Sequence, residues 1–413
     1  MPRNKINSSL RISLGTAGLL FAVTIPAQAA QWYWTPQLSL QSRFNDNQTL
    51  ATNSDNENSA FGNELDARVT LGTETPTSIF RLTPRARIVR YTGDDSDFDS
   101  EDGFVQLFGQ KRTETMNFQI GADYAQETTL TSELASGEFE DPDLDDPQQD
   151  DTGLVDFTNT RVRWNVSPSF SATLGDKTGF RLSGRFTDIS YDEDSQGLVD
   201  NENARIEATI FRNLSERTEV QFTAFGRAFE APERDNETDS LGGQVALIRD
   251  FDDQLQGTAS VGFISSDFQF IENGIAVDDD DTAALFTLGL RRRFETGNWR
   301  AEISRTVNPS GAGFLTQRDQ FRLQINRRFT ETWTGRLIAR AFTNEAQDEN
   351  VTSVNRDYFR LDAGLVWRMT EKVSLDGQYS FIFQDYEERL GNADSNQLAV
   401  TIRYTGLRRG TSR

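Results

Sequence analysis

From residue 31 onwards, apolar and polar residues alternate with period two, the pattern of a strand with two unlike faces. Val162, Trp164 and Val166 alternate with Arg161, Arg163 and Asn165. Ala204, Ile206, Ala208 and Ile210 alternate with Asn203, Arg205, Glu207 and Thr209. The same holds for Phe359, Leu361, Ala363 and Leu365 and for Leu398, Val400, Ile402 and Tyr404. About eighteen such runs of roughly 9–16 residues follow one another, with sixteen as the other possible count.

The connections between runs alternate in kind. Short turns fall near 74–76, 112–114, 173–177, 214–217, 251–254, 295–298, 330–332 and 370–372. Long polar loops fall near 46–62, 93–101, 131–157, 192–202, 230–240, 266–281, 307–317, 344–356 and 386–396. Nine loops, eight turns and both chain ends on the turn side predict an all-β, transmembrane, antiparallel up-and-down barrel with short periplasmic turns and long acidic extracellular loops. The turns also repeat: "RNLSERT" (212–218), "RDFDDQL" (249–255), "RRFETGNW" (292–299), "RRFTETW" (327–333) and "WRMTEKV" (367–373). A β-propeller can give a similar period, but it fits four short strands where each unit here holds two long ones. Strands of this length, tilted about 45°, match a bilayer. Phe251, Phe294, Trp299, Phe329, Trp333 and Trp367 fall at one level of the repeat and predict an interfacial girdle. Pro84 sits inside a strand run, where either a bulge or a misplaced strand is expected.

Composition sharpens this picture. The 413 residues contain no His and no Cys. That excludes His-dependent nucleophile systems, His-based zinc sites, disulfides and thiolate chemistry. Barrel proteases and deacylases rely on histidine, so an enzyme is not expected, and neither a cofactor nor a metal site is assigned. The formal charge is −22, which disfavours nucleic acid as a partner. Residues 1–29 carry Arg3, Lys5 and Arg11, then an apolar core, then "AQA" at 27–29, and read as a signal peptide cut near Ala29. Its removal takes −22 to −25. The barrel is then expected over 30–406, followed by a basic tail at 407–413. Acid concentrates in the loops, as in "EFEDPDLDDPQQDD" (138–151) and "DDDD" (278–281). These read as solvated loops; the calcium-loop spacing with its central glycine is missing.

An acidic chain nevertheless places arginines inside its strands, as in "QFRLQINRRFTETWTGRLIARAF" (320–342). Facing lipid at mid-depth, each would cost about 2–4 kcal/mol, so they are expected to face the lumen. The set is Arg81, Arg85, Arg87, Arg161, Arg163, Arg181, Arg185, Arg205, Arg227, Arg291, Arg322, Arg336, Arg340, Arg360 and Arg403. The main inward acids expected are Glu207, Glu302, Asp362 and Asp376. Such a lumen is either a filled ladder of ion pairs or an electropositive conduit that selects anions.

The leader, the strand pattern and the "RRFTETW"-type turns resemble the outer-membrane β-barrel porins encoded with exopolysaccharide operons. The resemblance implies an outer-membrane location, lipid and a polysaccharide as partners, and periplasmic and inner-membrane export components. The expected function is then an export conduit for an anionic exopolysaccharide through the arginine-lined lumen. The alternatives are a small-anion porin and a closed structural or adhesive barrel acting through acidic loops. No plug domain precedes the first strand run at Gln31, which disfavours a gated receptor, and the oligomeric state stays open.

Overall fold

A computed structural model describes residues 31–52, 57–92, 98–129, 159–192, 197–272, 275–347, 355–387 and 391–411. The first nine strands are β1 (Gln31–Asn45), β2 (Ala60–Glu74), β3 (Ser78–Tyr91), β4 (Ser100–Arg112), β5 (Met116–Thr128), β6 (Thr160–Thr173), β7 (Thr178–Tyr191), β8 (Asn201–Ser215) and β9 (Thr218–Ala231). The next nine are β10 (Asn236–Asp250), β11 (Leu255–Glu272), β12 (Ile275–Phe294), β13 (Gly297–Pro309), β14 (Leu315–Arg328), β15 (Trp333–Ala346), β16 (Arg356–Arg368), β17 (Val373–Tyr386) and β18 (Asn392–Thr405). Each pairs antiparallel with the next, and β1 pairs with β18, so the sheet closes on itself with eighteen strands. Closure leaves no edge and satisfies the backbone inside the wall, the condition for crossing a bilayer.

The seam extends past β18. A short strand β19 (Arg409–Thr411) pairs with Trp32–Trp34 of β1. Gln37 faces Thr405 and Trp34 faces Arg409, so the C-terminal side carries one residue more than β1 across this step, a bulge. The amide of Gly406 donates to the Pro36 carbonyl at 2.8 Å within it. The stretch set apart as a basic tail thus contributes three residues to the wall. Residues 1–29, the expected leader, lie outside the described residues, as does the acidic run 138–151.

The two faces are unlike, as the alternation requires. On β1, Leu38, Leu40 and Phe44 are exposed outward, while Arg43 and Asn45 between and beside them are buried inward. Pro84 produces no bulge: pairing of β2 with β3 lapses between Arg68↔Arg85 and Leu71↔Leu82 and resumes in the same register. Thr83 Oγ1 donates to Thr70 Oγ1 at 3.2 Å beside the lapse. Pro168 repeats this between β6 and β7. A register shift falls instead between Asn213 and Ser215 of β8.

The turn repeat has a local cause. Thr330 Oγ1 accepts the amides of Thr332 and Trp333 at 3.3 and 3.1 Å. Thr370 Oγ1 accepts those of Lys372 and Val373, and Asp252 Oδ1 those of Gln254 and Leu255. In these three copies the Thr or Asp side chain therefore satisfies amides that a tight turn leaves free. Thr370→Val is expected to lower stability by about 1 kcal/mol, read as a shift in the urea midpoint of the vesicle-inserted protein.

Among the nine loops expected to be long, 230–240, 266–281 and 307–317 are mostly strand, as is the described part of 386–396. β9 and β10 are joined by a 3-10 turn at Pro232–Arg234 and by Asp235 at φ 49°. β11 and β12 run to 18 and 20 residues, and β13 and β14 are joined by 310–314. A ladder continues wherever neighbours pair, so polarity there reports solvent beyond the bilayer rather than coil.

Candidate functional site

The register places all fifteen sequence-predicted arginines on the inward set of their strands. Ten of the arginines on this inner face meet carboxylates. Arg85 pairs with Asp66 at 2.6 Å, Arg87 with Asp102 at 2.8 Å and Arg161 with Glu127 at 2.7 Å. Arg163 stands 3.8 Å from Asp123, and Arg43 3.6 Å from Glu64. Arg205 pairs with Glu207, Arg336 with Asp376 and Arg360 with Asp362, while Arg300 and Arg322 share Glu302. The inward acids are thus more numerous than the four expected. Glu64, Asp66, Asp102, Asp123 and Glu127 join them, and their parity with apolar neighbours such as Leu65 and Tyr124 is the signal that finds them. Arg43, Arg300, Arg318 and Arg356 are further inward arginines beyond the predicted set.

Two rows stand out, in which three arginines lie directly opposite one another on adjacent strands. Arg185, Arg205 and Arg227 form one on β7–β9. Arg322, Arg340 and Arg360 form the other on β14–β16. Like charges directly opposite destabilise a sheet, so each row needs compensation. The β14–β16 row has it: Glu302 serves Arg322, and Asp362 binds Arg360 through both its Nε and Nη2. With the Gln320 amide turned so that its oxygen faces them, it accepts from Arg322 and Arg340 at 3.2 Å each.

The β7–β9 row is different. Glu207 pairs with Arg205, whose guanidinium also lies 4.5 Å over the ring of Phe225. Arg227 Nη1 donates to the Val307 carbonyl at 2.7 Å. Arg185, and Arg181 one turn of the pleat away, have no hydrogen bond or ion pair among the described residues. The two rows are centred on β8 and β15, seven strands apart in an eighteen-strand ring, so they stand on roughly opposite walls. One wall is electrostatically closed and the other is open.

What lies between them comes from segments that fold inward. The tip of the β13–β14 hairpin turns into the lumen. Asn236 Nδ2 donates to the Gly313 carbonyl at 2.7 Å, and the Val199 amide to the Gly311 carbonyl at 2.9 Å. Val307 and Leu315 are buried against Phe225, Phe229, Ile264 and Phe268 of the β9–β11 inner face. From another quarter, Leu50 is buried with Phe342, Tyr358 and Ile382. The stretch "VNPSGAGFLTQ" (307–317) carries no charged residue, unlike the acidic loops, and this is the trace of the infolding in the sequence.

Against the infolded tip lies a cavity of about 730 Å³. Arg68, Arg81, Arg181, Arg185, Arg205 and Arg227 line it, against Asp123 and Glu207 as its acids. Serines, threonines and amides such as Thr83, Ser167, Ser183, Gln106 and Asn117 make most of the remaining wall, and Asn308 and Pro309 of the infolded tip bound it. Gly313 holds that tip at φ +84°, and a Cβ there meets Val199 at 2.6 Å and Ala231 at 3.1 Å. Gly313→Ala is expected to displace the tip and raise single-channel conductance.

Fold and lumen together define the molecule as a membrane-spanning β-barrel of the outer-membrane type. No protein-family model matches the chain, and no curated protein matches its sequence. Among solved structures it is similar to OpdK of Pseudomonas aeruginosa, solved with vanillate, at 8% identity over 91% of this chain and 99% of that one, with a TM-score of 0.46. It is similar to OccAB2 of Acinetobacter baumannii at 10% identity over 91% and 98%, with a TM-score of 0.48. It is also similar to the siderophore receptor PirA of Pseudomonas aeruginosa at 10% identity over 90% and 80%, with a TM-score of 0.43.

Proposed function

We propose that the barrel is an outer-membrane channel, not an enzyme, that selects small anionic solutes along the β7–β9 wall. The observation that carries this reading is the cavity in which six arginines oppose two acids, with Arg181 and Arg185 uncommitted among the described residues. A guanidinium offers a planar fork to a carboxylate or phosphate, and charge of one sign along a pore admits the opposite sign. The cavity volume falls in the range that holds one small molecule, about 300–1,000 Å³. Its hydroxyl- and amide-rich wall suits a hydrated, polar anion. The infolded tip bounds this cavity through Asn308 and Pro309, which favours a small solute over a polymer.

Export of an anionic exopolysaccharide with periplasmic and inner-membrane components is the second reading, supported by the resemblance in turns and leader. Reversal potentials of the full-length protein in planar bilayers across a salt gradient test both. Anion selectivity with passage of uronate monomers and exclusion of long uronate oligomers is the expected result. Cation selectivity overturns the anion reading, and no current overturns the channel reading. Passage of the oligomers moves it to the polymer.

A further inference from the structure

The lumen does not use the turn repeat, and the repeat places a second charge pattern on the outer face. In four copies an outward arginine is followed two residues later by an outward apolar side chain: Arg212 and Leu214, Arg249 and Phe251, Arg292 and Phe294, Arg327 and Phe329. These arginines are exposed and stand at the short-turn ends of β8, β10, β12 and β14. They therefore recur on every second strand. Lys111 of β4 and Arg409 of β19 extend the ring, the latter 5.7 Å over the ring of Trp34. Among the described residues, no outward strand position at this level carries an acid.

Two of the four arginines stand beside glycines of the neighbouring strands. Arg249 faces Gly257 on the neighbouring strand, and Arg327 faces Gly297 and Gly335. Phe251 lies over Gly257 and Phe329 over Gly335, where a Cβ would meet the rings at 2.7 and 2.5 Å. In these two units a phenyl ring packs over the glycine beside the cation, whereas Arg292 faces Leu255 and Trp299 and Arg212 faces Thr178 and Val220; all four stand at the depth where tryptophans gather. Trp32, Trp34, Trp299, Trp333 and Trp367 all lie at this end, and Trp333 stacks on Trp367 at 5.6 Å. The other rim of the same face is acidic: Asp188 faces Glu202, and Glu202 faces Glu230. The outer face is therefore polarised along the membrane normal: bases stand at the short-turn interface, and acids predominate at the other, where Arg90 and Arg305 are paired with Glu101 and Asp319.

We infer that the Arg-x-Phe repeat is a ring of seats for the phosphodiester headgroups of anionic lipids in the periplasmic leaflet. An arginine at this depth keeps its alkyl stem along the apolar wall and its guanidinium at headgroup level. The exposure of each guanidinium leaves a headgroup room to approach, and the apolar side chain two residues on covers the glycerol and upper acyl chain. A basic residue near an anionic lipid surface gains roughly fivefold in partitioning, and the gain is screened by salt. A ring of four arginines therefore selects anionic over zwitterionic lipid and fixes the depth of the short-turn end.

The tryptophans at this end supply the readout. Full-length protein is refolded into vesicles of phosphatidylcholine mixed with brominated phosphatidylglycerol or with brominated phosphatidylcholine, and quenching gives the relative lipid affinity. The expected result is a preference of at least tenfold for phosphatidylglycerol at low salt that collapses at 1 M salt. The triple variant Arg249→Gln, Arg292→Gln, Arg327→Gln is expected to lose it, and the corresponding Arg→Lys triple to keep most of it. Equal quenching by the two lipids in the unaltered protein overturns the inference. So does a preference that survives in the glutamine triple. If the glutamine triple fails to insert, the salt dependence and the lysine triple decide alone.

Discussion

Replacing Arg181 and Arg185 together by glutamine is expected to lower the anion-over-cation permeability ratio of the channel by at least tenfold. These two guanidinium groups face the cavity, and no carboxylate among the described residues pairs with either. An anion passing within about 6 Å of one such charge gains roughly 0.7 kcal/mol at the dielectric constant of water, and about 2.8 at an effective value of 20. Two of them at the lower figure already amount to about a factor of ten in occupancy. The matching control is the double variant Arg336→Gln, Asp376→Asn, which removes a pair at 3.4 Å on the closed wall and leaves the lumen charge unchanged. Reversal potentials are expected to move for the first variant and stay for the second. If both move alike, selectivity comes from the summed charge of the protein rather than from the open row.

The largest expected loss of stability comes from Glu127→Ala. Glu127 holds Arg161, which is 1% exposed, at 2.7 Å. In register the belt continues through Asp66, Arg87, Asp102, Glu127 and Arg161 on five successive strands. Asp102 also accepts from the Thr128 amide and hydroxyl at 3.0 and 3.1 Å. Deleting the Glu127 carboxylate leaves the Arg161 guanidinium buried without its counter-charge, which costs about 3–5 kcal/mol. Urea unfolding of the vesicle-inserted protein measures it. The double variant Glu127→Gln, Arg161→Met is expected to recover most of the loss, because an apolar side chain of similar volume carries no charge to desolvate. A single variant within about 0.5 kcal/mol of the parent overturns the view that this belt braces the wall.

The alternation in the chain was enough to place the barrel, and the fate of individual arginines was not. Period two fixes which residues share a face, and the lipid cost of a charge fixes which face turns inward. Arg185 and Arg360 read alike on that basis. They part because Arg360 has Asp362 two residues on along its own inner face, a neighbour the alternation already supplies, while Arg185 meets Arg205 across the ladder, which only strand register decides. Partners such as Arg336 and Asp376 are 40 residues apart, and their meeting depends on strand register. The same limit explains the loops. Acid and amide residues at 266–281 look like coil, yet β11 and β12 pair residue for residue through them.

While the closed sheet set the strand count at eighteen, the sequence by itself determined the period-two strands, their two faces, the alternation of short turns with long loops, and the inward direction of the arginines. Each of these follows from short-range periodicity acting against a fixed solvent, the bilayer. Only the tertiary structure decided which arginines are neutralised, and that the 307–317 hairpin tip folds inward to bound the cavity. It also decided that residues 409–411 complete the seam. These outcomes depend on contacts between strands far apart in the chain, and such contacts leave no period in the sequence.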